Sequence, residues 1–121
     1  MFPFRRRASR ITPDEAHRRT SGADASAVLL DVRDKPEWQA GHAPSAVRAP
    51  LSRLDQGAAL PRAAQDRALV VICRSGTRSQ RAAKLLAERG TDVVDVEGGM
   101  NAWVAAGHPV VDARGNSGSI A

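Results

Sequence analysis

The chain has no tyrosine, and only four of its 121 residues are aromatic: Phe2, Phe4, Trp38 and Trp103. A platform for stacking nucleobases is hard to assemble from so few rings, so nucleic acid is not an expected partner even though the net charge is +5. There is one cysteine, Cys73, which excludes a disulfide within the chain. Three histidines, His17, His42 and His108, are too scattered to complete a zinc site around a single thiolate, and no metal is expected. Long apolar runs are also missing. The longest covers residues 68–73, six residues against the roughly 18 to 20 that cross a bilayer, and the opening MFPFRRR lacks the apolar stretch of a secretory signal. The expectation is a cytoplasmic protein with no membrane partner.

What is present is the composition of one globular domain, with 42% hydrophobic and 26% charged residues. The positive charge comes almost wholly from arginine, which suits an anionic ligand. Residues 1–10, including Arg5, Arg6 and Arg7, read as a flexible basic arm, and residues 112–121 (DARGNSGSIA) as a flexible polar tail with little to bury. The domain is expected over residues 11–111.

Within it, strands and helices alternate. Thr12-Pro13-Asp14-Glu15 combines an N-cap residue, a proline at the first helical position and a glutamate at the third, a capping box that opens a helix to about Thr20. Val28-Leu29-Leu30-Asp31-Val32 is apolar without alternating, as a strand covered on both faces should be. A short helix over 34–40 ends at Gly41, a brief strand lies near 46–49, and 51–65 holds one or two short helices broken by Gly57 and Pro61. The strongest strand, 68–72, runs directly into Cys73. Ser79, Ala82, Ala83 and Leu86 then share one face of a helix over 79–89 that stops at Gly90. A strand at 93–96 and a helix over 99–106 complete the pattern. It predicts an α/β domain with a mainly parallel sheet of four to five strands and helices on both faces.

The chemistry gathers at Cys73-Arg74-Ser75-Gly76-Thr77-Arg78-Ser79. A thiol at the carboxyl end of a buried strand, before a short loop and a helix, occupies the place where open α/β sheets bind ligands. Such a loop can turn successive N–H groups inward as a nest, and the helix N-terminus adds positive potential. An ordinary thiol, with a pKa near ~8.5, is only about 3% ionised at neutral pH. Stabilising the anion by about 2.7 kcal/mol makes most of it thiolate. Inward amides, Arg74, Arg78 and the helix dipole are the groups expected to do so. Gly76 supplies the positive φ that a tight wrap requires, and Ser75, Thr77 and Ser79 add hydroxyls.

This loop resembles the active-site loop of rhodanese-like domains. The resemblance extends to Leu30-Asp31-Val32-Arg33, Glu37-Trp38, the stretch from Gly41-His42-Ala43-Pro44 to Ser45-Ala46, Gly98-Gly99, Trp103 and Gly107-His108-Pro109-Val110, and so covers about residues 11 to 111 in order. Ser45 stands where the family has glycine, and Ala43 is a small residue in the apolar place after His42. The resemblance implies a three-layer rhodanese-like fold. It further implies a sulfurtransferase that moves sulfane sulfur from thiosulfate or a persulfide donor to cyanide or a thiol through a Cys73 persulfide, with no cofactor. Its partners would be a small anionic donor and a thiol or cyanide acceptor, which could be an acceptor protein. The alternative is a non-enzymatic rhodanese-fold module for protein binding or regulation. Related phosphatases and arsenate reductases separate their cysteine and arginine by five residues. Four lie between Cys73 and Arg78, a smaller ring that suits one sulfur atom.

The site residues expected from this reading are catalytic Cys73 and substrate-binding Arg74, Ser75, Gly76, Thr77 and Arg78. Asp31 and Arg33 read as structural residues that pair with loops near the site, His42 as a loop anchor, Trp38 and Trp103 as packing residues, and His108 as exposed.

Overall fold

The structure, a computed structural model, describes residues 9–121. Five strands, β1 (Ser9–Ile11), β2 (Val28–Asp31), β3 (Val47–Arg48), β4 (Leu69–Ile72) and β5 (Val93–Val96), form one sheet in the order β1-β5-β4-β2-β3. Every pairing in it is parallel. The helices are α1 (Pro13–Thr20), α2 (Lys35–Ala40), α3 (Leu51–Asp55), α4 (Arg78–Glu88) and α5 (Gly99–Ala105), with a 3-10 turn at Arg62–Ala64. This is the α/β architecture expected from the alternating pattern.

Each central strand feeds both faces of the sheet. Leu30 and Val71 pack with Leu54 of α3 and with Ala82, Ala83 and Leu86 of α4. Leu29, Val70 and Ile72 pack on the other side with Ala16 of α1 and with Met100 and Trp103 of α5. All four residues of β4 are buried, which explains why its sequence is apolar without alternation. Each large side chain enclosed in this way contributes roughly 1.5–3 kcal/mol. The alanine-rich face of α4 lets that helix lie close against β4, directly behind the loop that carries Cys73.

Local signals set the helix starts. Thr12 Oγ1 accepts the Glu15 N–H at 3.1 Å, the first half of the expected capping box. The Glu15 carboxylate does not return to the cap; it binds Arg18 and Arg19 instead. At α2 the capping box is complete, with Asp34 as the cap and Glu37 as the returning side chain. The turn after His42 closes through an Ala46 N–H to Ala43 carbonyl bond of 3.0 Å. It does so without a left-handed residue at Ser45, because Asp66 is the one non-glycine residue with positive φ among those described.

Segments on both sides of residues 11–111 also take part in the fold. Ser9 and Arg10 belong to β1, paired with Val94 and Asp95 of β5, so the sheet begins inside the stretch read as a basic arm. Arg5, Arg6 and Arg7 lie outside the described residues. At the other end, residues 112–121 fold back on the domain. Ser117 bridges to Val111, Gly118 N–H donates to Val110, Ser119 N–H donates to the Ala40 carbonyl, and Ile120 packs against the α1/α5 side of the core. One apolar side chain and a set of main-chain bonds suffice to dock this polar segment.

β2 leads outward to β3, whereas its neighbour β4 leads the other way to β5. The carboxyl ends of β2 and β4 therefore flank the switch point of the sheet, where diverging connections leave a crevice. Cys73 follows β4 at this point.

Candidate active site

Cys73 is 1% exposed, at the base of the loop between β4 and α4. The root of this loop is held from outside. The carbonyl of Cys73 accepts the Met100 N–H at 2.7 Å and that of Arg74 accepts the Asn101 N–H at 3.0 Å, both from the first turn of α5. Gly99 makes the approach possible. Its φ is +57°, and a Cβ there would lie 2.3 Å from the Cys73 carbonyl oxygen.

Beyond its root the loop curls back over the thiol. Gly76, at φ +100°, donates its N–H to Cys73 Sγ at 3.1 Å. Its carbonyl is held by Arg10 Nη2 at 2.9 Å and Gln80 Nε2 at 2.8 Å. In a trans peptide the C=O and N–H point in opposite directions, so fixing this carbonyl also fixes the Thr77 N–H on the other side. No side chain caps α4, and within its first turn the Gln80 N–H donates to the Thr77 carbonyl at 3.2 Å.

Of the expected hydroxyls, Ser79 is the one that reaches the sulfur. The Cys73 thiol donates to Ser79 Oγ at 3.4 Å, and the Ser79 hydroxyl donates to Asp95 Oδ2 at 2.8 Å. Ser75 and Thr77 are exposed. Asp95, on β5, has a side chain 2% exposed and receives a fork from Arg10, with Nε to Oδ1 at 3.2 Å and Nη2 to Oδ2 at 3.1 Å. Neither Arg10 nor Asp95 carries a local signal in the sequence that would bring it to the thiol.

The two expected arginines differ. Arg74 is exposed on the loop. Arg78 is clamped by Glu37 of α2, with Nη1 to Oε1 at 2.7 Å and Nη2 to Oε2 at 2.8 Å. The hydrogen bonds from Arg78 hold the Glu37 carboxyl below the usual carboxylate range despite its partial burial, and the Asp34 N–H helps. The same bonds push the Arg78 guanidinium upward, and the negative charge of an ionised Cys73 acts in the same direction. Arg78 is thus a fixed positive charge at the start of α4, near enough to Cys73 for the two charges to interact.

The supporting residues take largely structural places. Asp31 and Arg33 are both fully buried and joined by a 2.7 Å bridge, while Arg33 Nη2 also donates to the Gly41 carbonyl at 2.6 Å. His42 binds the Trp38 carbonyl through Nδ1 at 2.7 Å, and its ring stacks on Trp38 at 3.6 Å. Trp103 is buried, and its Nε1 donates to the Pro109 carbonyl. His108 departs from its expected exposure. It is half-buried, stacked on His17 at 4.4 Å and bound to Asp14 at 2.7 Å, because the chain after Gly107 turns back over α1.

Comparison with known proteins places this geometry in context. The sequence model of the rhodanese-like domain matches residues 12–106. The probable adenylyltransferase/sulfurtransferase MoeZ of Mycobacterium tuberculosis is 35% identical over 104 residues, which make up 85% of this chain and 26% of that protein. YtwF of Bacillus subtilis, named as a sulfurtransferase, is 40% identical over 81 residues, covering 67% of this chain and 77% of that protein. The chain thus spans about a quarter of the length of the mycobacterial relative. Among solved structures, a rhodanese-related protein from Thermoplasma volcanium superposes with a TM-score of 0.71 at 31% identity, over 85% of this chain and 97% of that one. A Rhodopseudomonas palustris protein of unknown function, described as a possible tyrosine phosphatase, gives 0.71 at 29% identity over 85% and 84%. A parallel sheet with a cysteine at its switch point, a loop curled over that cysteine and a family match running from α1 through α5 lead to one assignment: the chain belongs to the rhodanese-like domain family.

Proposed function

We propose that the protein is a sulfurtransferase that carries sulfane sulfur as a persulfide on Cys73, from thiosulfate or a persulfide donor to a thiol or cyanide. The observation that carries this reading is the Gly76 N–H aimed at Cys73 Sγ at 3.1 Å, in a loop that leads into α4 without a side-chain cap. The names of MoeZ and YtwF support sulfurtransferase activity in general.

In the proposed cycle the Cys73 thiolate attacks the outer sulfur of thiosulfate. A sulfur–sulfur bond forms, the bond to the sulfonate sulfur breaks, and sulfite leaves with the electron pair. An acceptor thiolate or cyanide then attacks the outer sulfur and Cys73 leaves as thiolate. The covalent intermediate requires ping-pong kinetics and no cofactor. The loop amides stabilise the anion in both states, Arg78 adds a fixed charge, and exposed Arg74, with Ser75 and Thr77, forms the rim that meets the donor. A reducing compartment such as the cytoplasm keeps the lone thiol free.

Phosphatase chemistry is less well supported. Both forks of Arg78 are occupied by Glu37, and the four-residue spacing leaves a small ring. The 1% exposure of Cys73 favours a different rival, a binding or regulatory module with an inert thiol. Mass spectrometry after thiosulfate treatment separates the two readings. We expect one additional sulfur on the peptide containing Cys73, and thiocyanate production that falls about a thousandfold or more in Cys73→Ser. Equal rates for wild type and variant, or no sulfur gained from thiosulfate or an organic persulfide, would overturn the assignment.

A further inference from the structure

Arg10 touches three acceptors around the thiol, although it lies on the edge strand 63 residues before Cys73 in the sequence. Its guanidinium forks onto both oxygens of Asp95, its register partner across β1 and β5, and it also donates to the Gly76 carbonyl. It lies directly behind the tip of the loop: a Cβ on Gly76 would be 2.8 Å from Arg10 Nη2 and 3.1 Å from the Gly98 nitrogen. The residue that presents its N–H to the sulfur is therefore seated between an arginine and the turn that starts α5. Asp95 in turn reaches Cys73 through one hydroxyl, that of Ser79.

This arrangement has an electrostatic consequence. An anionic Cys73, bare or loaded with sulfur, lies one hydroxyl away from a buried carboxylate, and two negative charges that close in a poorly solvated site repel strongly. Arg10 offsets the nearer charge. It donates to both oxygens of Asp95, of which Oδ2 also accepts the Ser79 hydroxyl. Among the described residues, further charged groups near the loop are Arg78 with its partner Glu37 from α2, Asp34 at the start of that helix, and exposed Arg74.

We propose that Arg10 and Asp95 are a positioning pair for Cys73, in which Arg10 anchors the loop through the Gly76 carbonyl and neutralises the carboxylate behind the thiol. This rests on Cys73 being the sulfur-carrying nucleophile. Arg10 acts through Gly76 and Asp95, and its substitution therefore alters the protonation behaviour and the plateau rate of the thiol in molecules that are fully folded.

The test measures pH–rate profiles for sulfur loading from thiosulfate and for alkylation by iodoacetamide, with melting curves to establish folding. In Arg10→Gln the half-maximal pH moves upward, and the rate at neutral pH falls about tenfold, the effect of about 1.4 kcal/mol. In Asp95→Asn the half-maximal pH moves downward, since a negative charge is removed. In Arg10→Lys the half-maximal pH stays near that of wild type while the plateau drops, because an ammonium is a point charge that does not reproduce the planar fork. Opposite shifts at two partners are not what loss of a merely structural contact produces. Arg10→Gln that is folded and within about twofold of wild type in both midpoint and plateau would overturn the proposal, as would shifts of the same sign in Arg10→Gln and Asp95→Asn. If Arg10→Gln does not fold, an undiminished plateau in Arg10→Lys overturns it equally. Failure of the wild type to take up sulfur would sink the sulfurtransferase reading, while the alkylation profiles would still decide the role of Arg10.

Discussion

Asp31 and Asp95 each stand on a core strand and each binds an arginine, yet the two pairs are built differently. Asp31 pairs with Arg33 two residues away, both fully buried, and the side-chain hydrogen bonds of the pair stay between residues 31 and 41. Asp95 pairs with Arg10 across 85 residues, and Arg10 remains 37% exposed. The contacts of this second pair run outward to Gly76 and, through Ser79, to Cys73. Depth of burial sets the expected cost of stranding one partner of an ion pair. Nearness to the chemistry follows a different path, the chain of hydrogen bonds. The deeper pair holds the end of α2 in place, and the shallower one holds the loop.

The largest effect should come from breaking the deeper pair. Arg33→Met leaves Asp31 as an unpaired buried charge and is expected to cost about 3–5 kcal/mol, measured as a lowered denaturant midpoint. Replacing both partners, as Asp31→Leu with Arg33→Met, should recover much of that loss because no charge is then stranded. A single variant within 1 kcal/mol of wild type would erase the distinction between the pairs. An intermediate effect is expected at Ser79→Ala. Asp95 loses one donor but keeps the Arg10 fork, so stability falls by about 1–2 kcal/mol in the same measurement, together with a slower gain of sulfur at Cys73. The smallest effect belongs to the half-exposed third pair, Glu37 with Arg78. Glu37→Gln should cost roughly 0.2–1 kcal/mol at pH 7. Because Arg78 holds the folded Glu37 carboxyl below its ordinary range, this contribution is present in full above the unfolded value near ~4.3. It is lost as pH falls through the lower folded value. Unfolding curves of wild type and Glu37→Gln should therefore converge in acid, and a gap that widens there would reverse the assignment of the pair.

Much of this molecule is legible in its amino-acid order, and the limits have physical causes. β4 and its loop stand out because a run of buried residues ends in a thiol followed by five polar or glycine residues, a signal contained in ten consecutive positions. Ser79, Ala82, Ala83 and Leu86 do occupy the buried face of α4, since spacing alone specifies one side of a helix. β1 leaves no such mark. Ser9-Arg10-Ile11 is too short to show a period, and it is a strand because β5 offers its backbone an edge. Arg10 follows a run of arginines and reads as one more solvated charge, although its partners lie 66 and 85 residues further on. Glu37 and Arg78 are each visible as residues of interest, but their pairing depends on how α2 settles beside α4, which no local pattern encodes. The segment after Asp112 conceals its docking for a similar reason, because main-chain bonds and a single isoleucine hold it rather than an apolar stripe.

The glycine at 99 gives the sulfur cage a mechanical character. With no side chain between them, the amino end of the last helix and the final carbonyls of the central strand are joined by two short main-chain bonds. The socket is thereby bolted to a neighbouring helix as well as sprung from its own strand. In the proposed cycle an added sulfur would sit in a socket whose root these two bonds hold, so that a sideways drift of that last helix would reach Cys73 through its carbonyl.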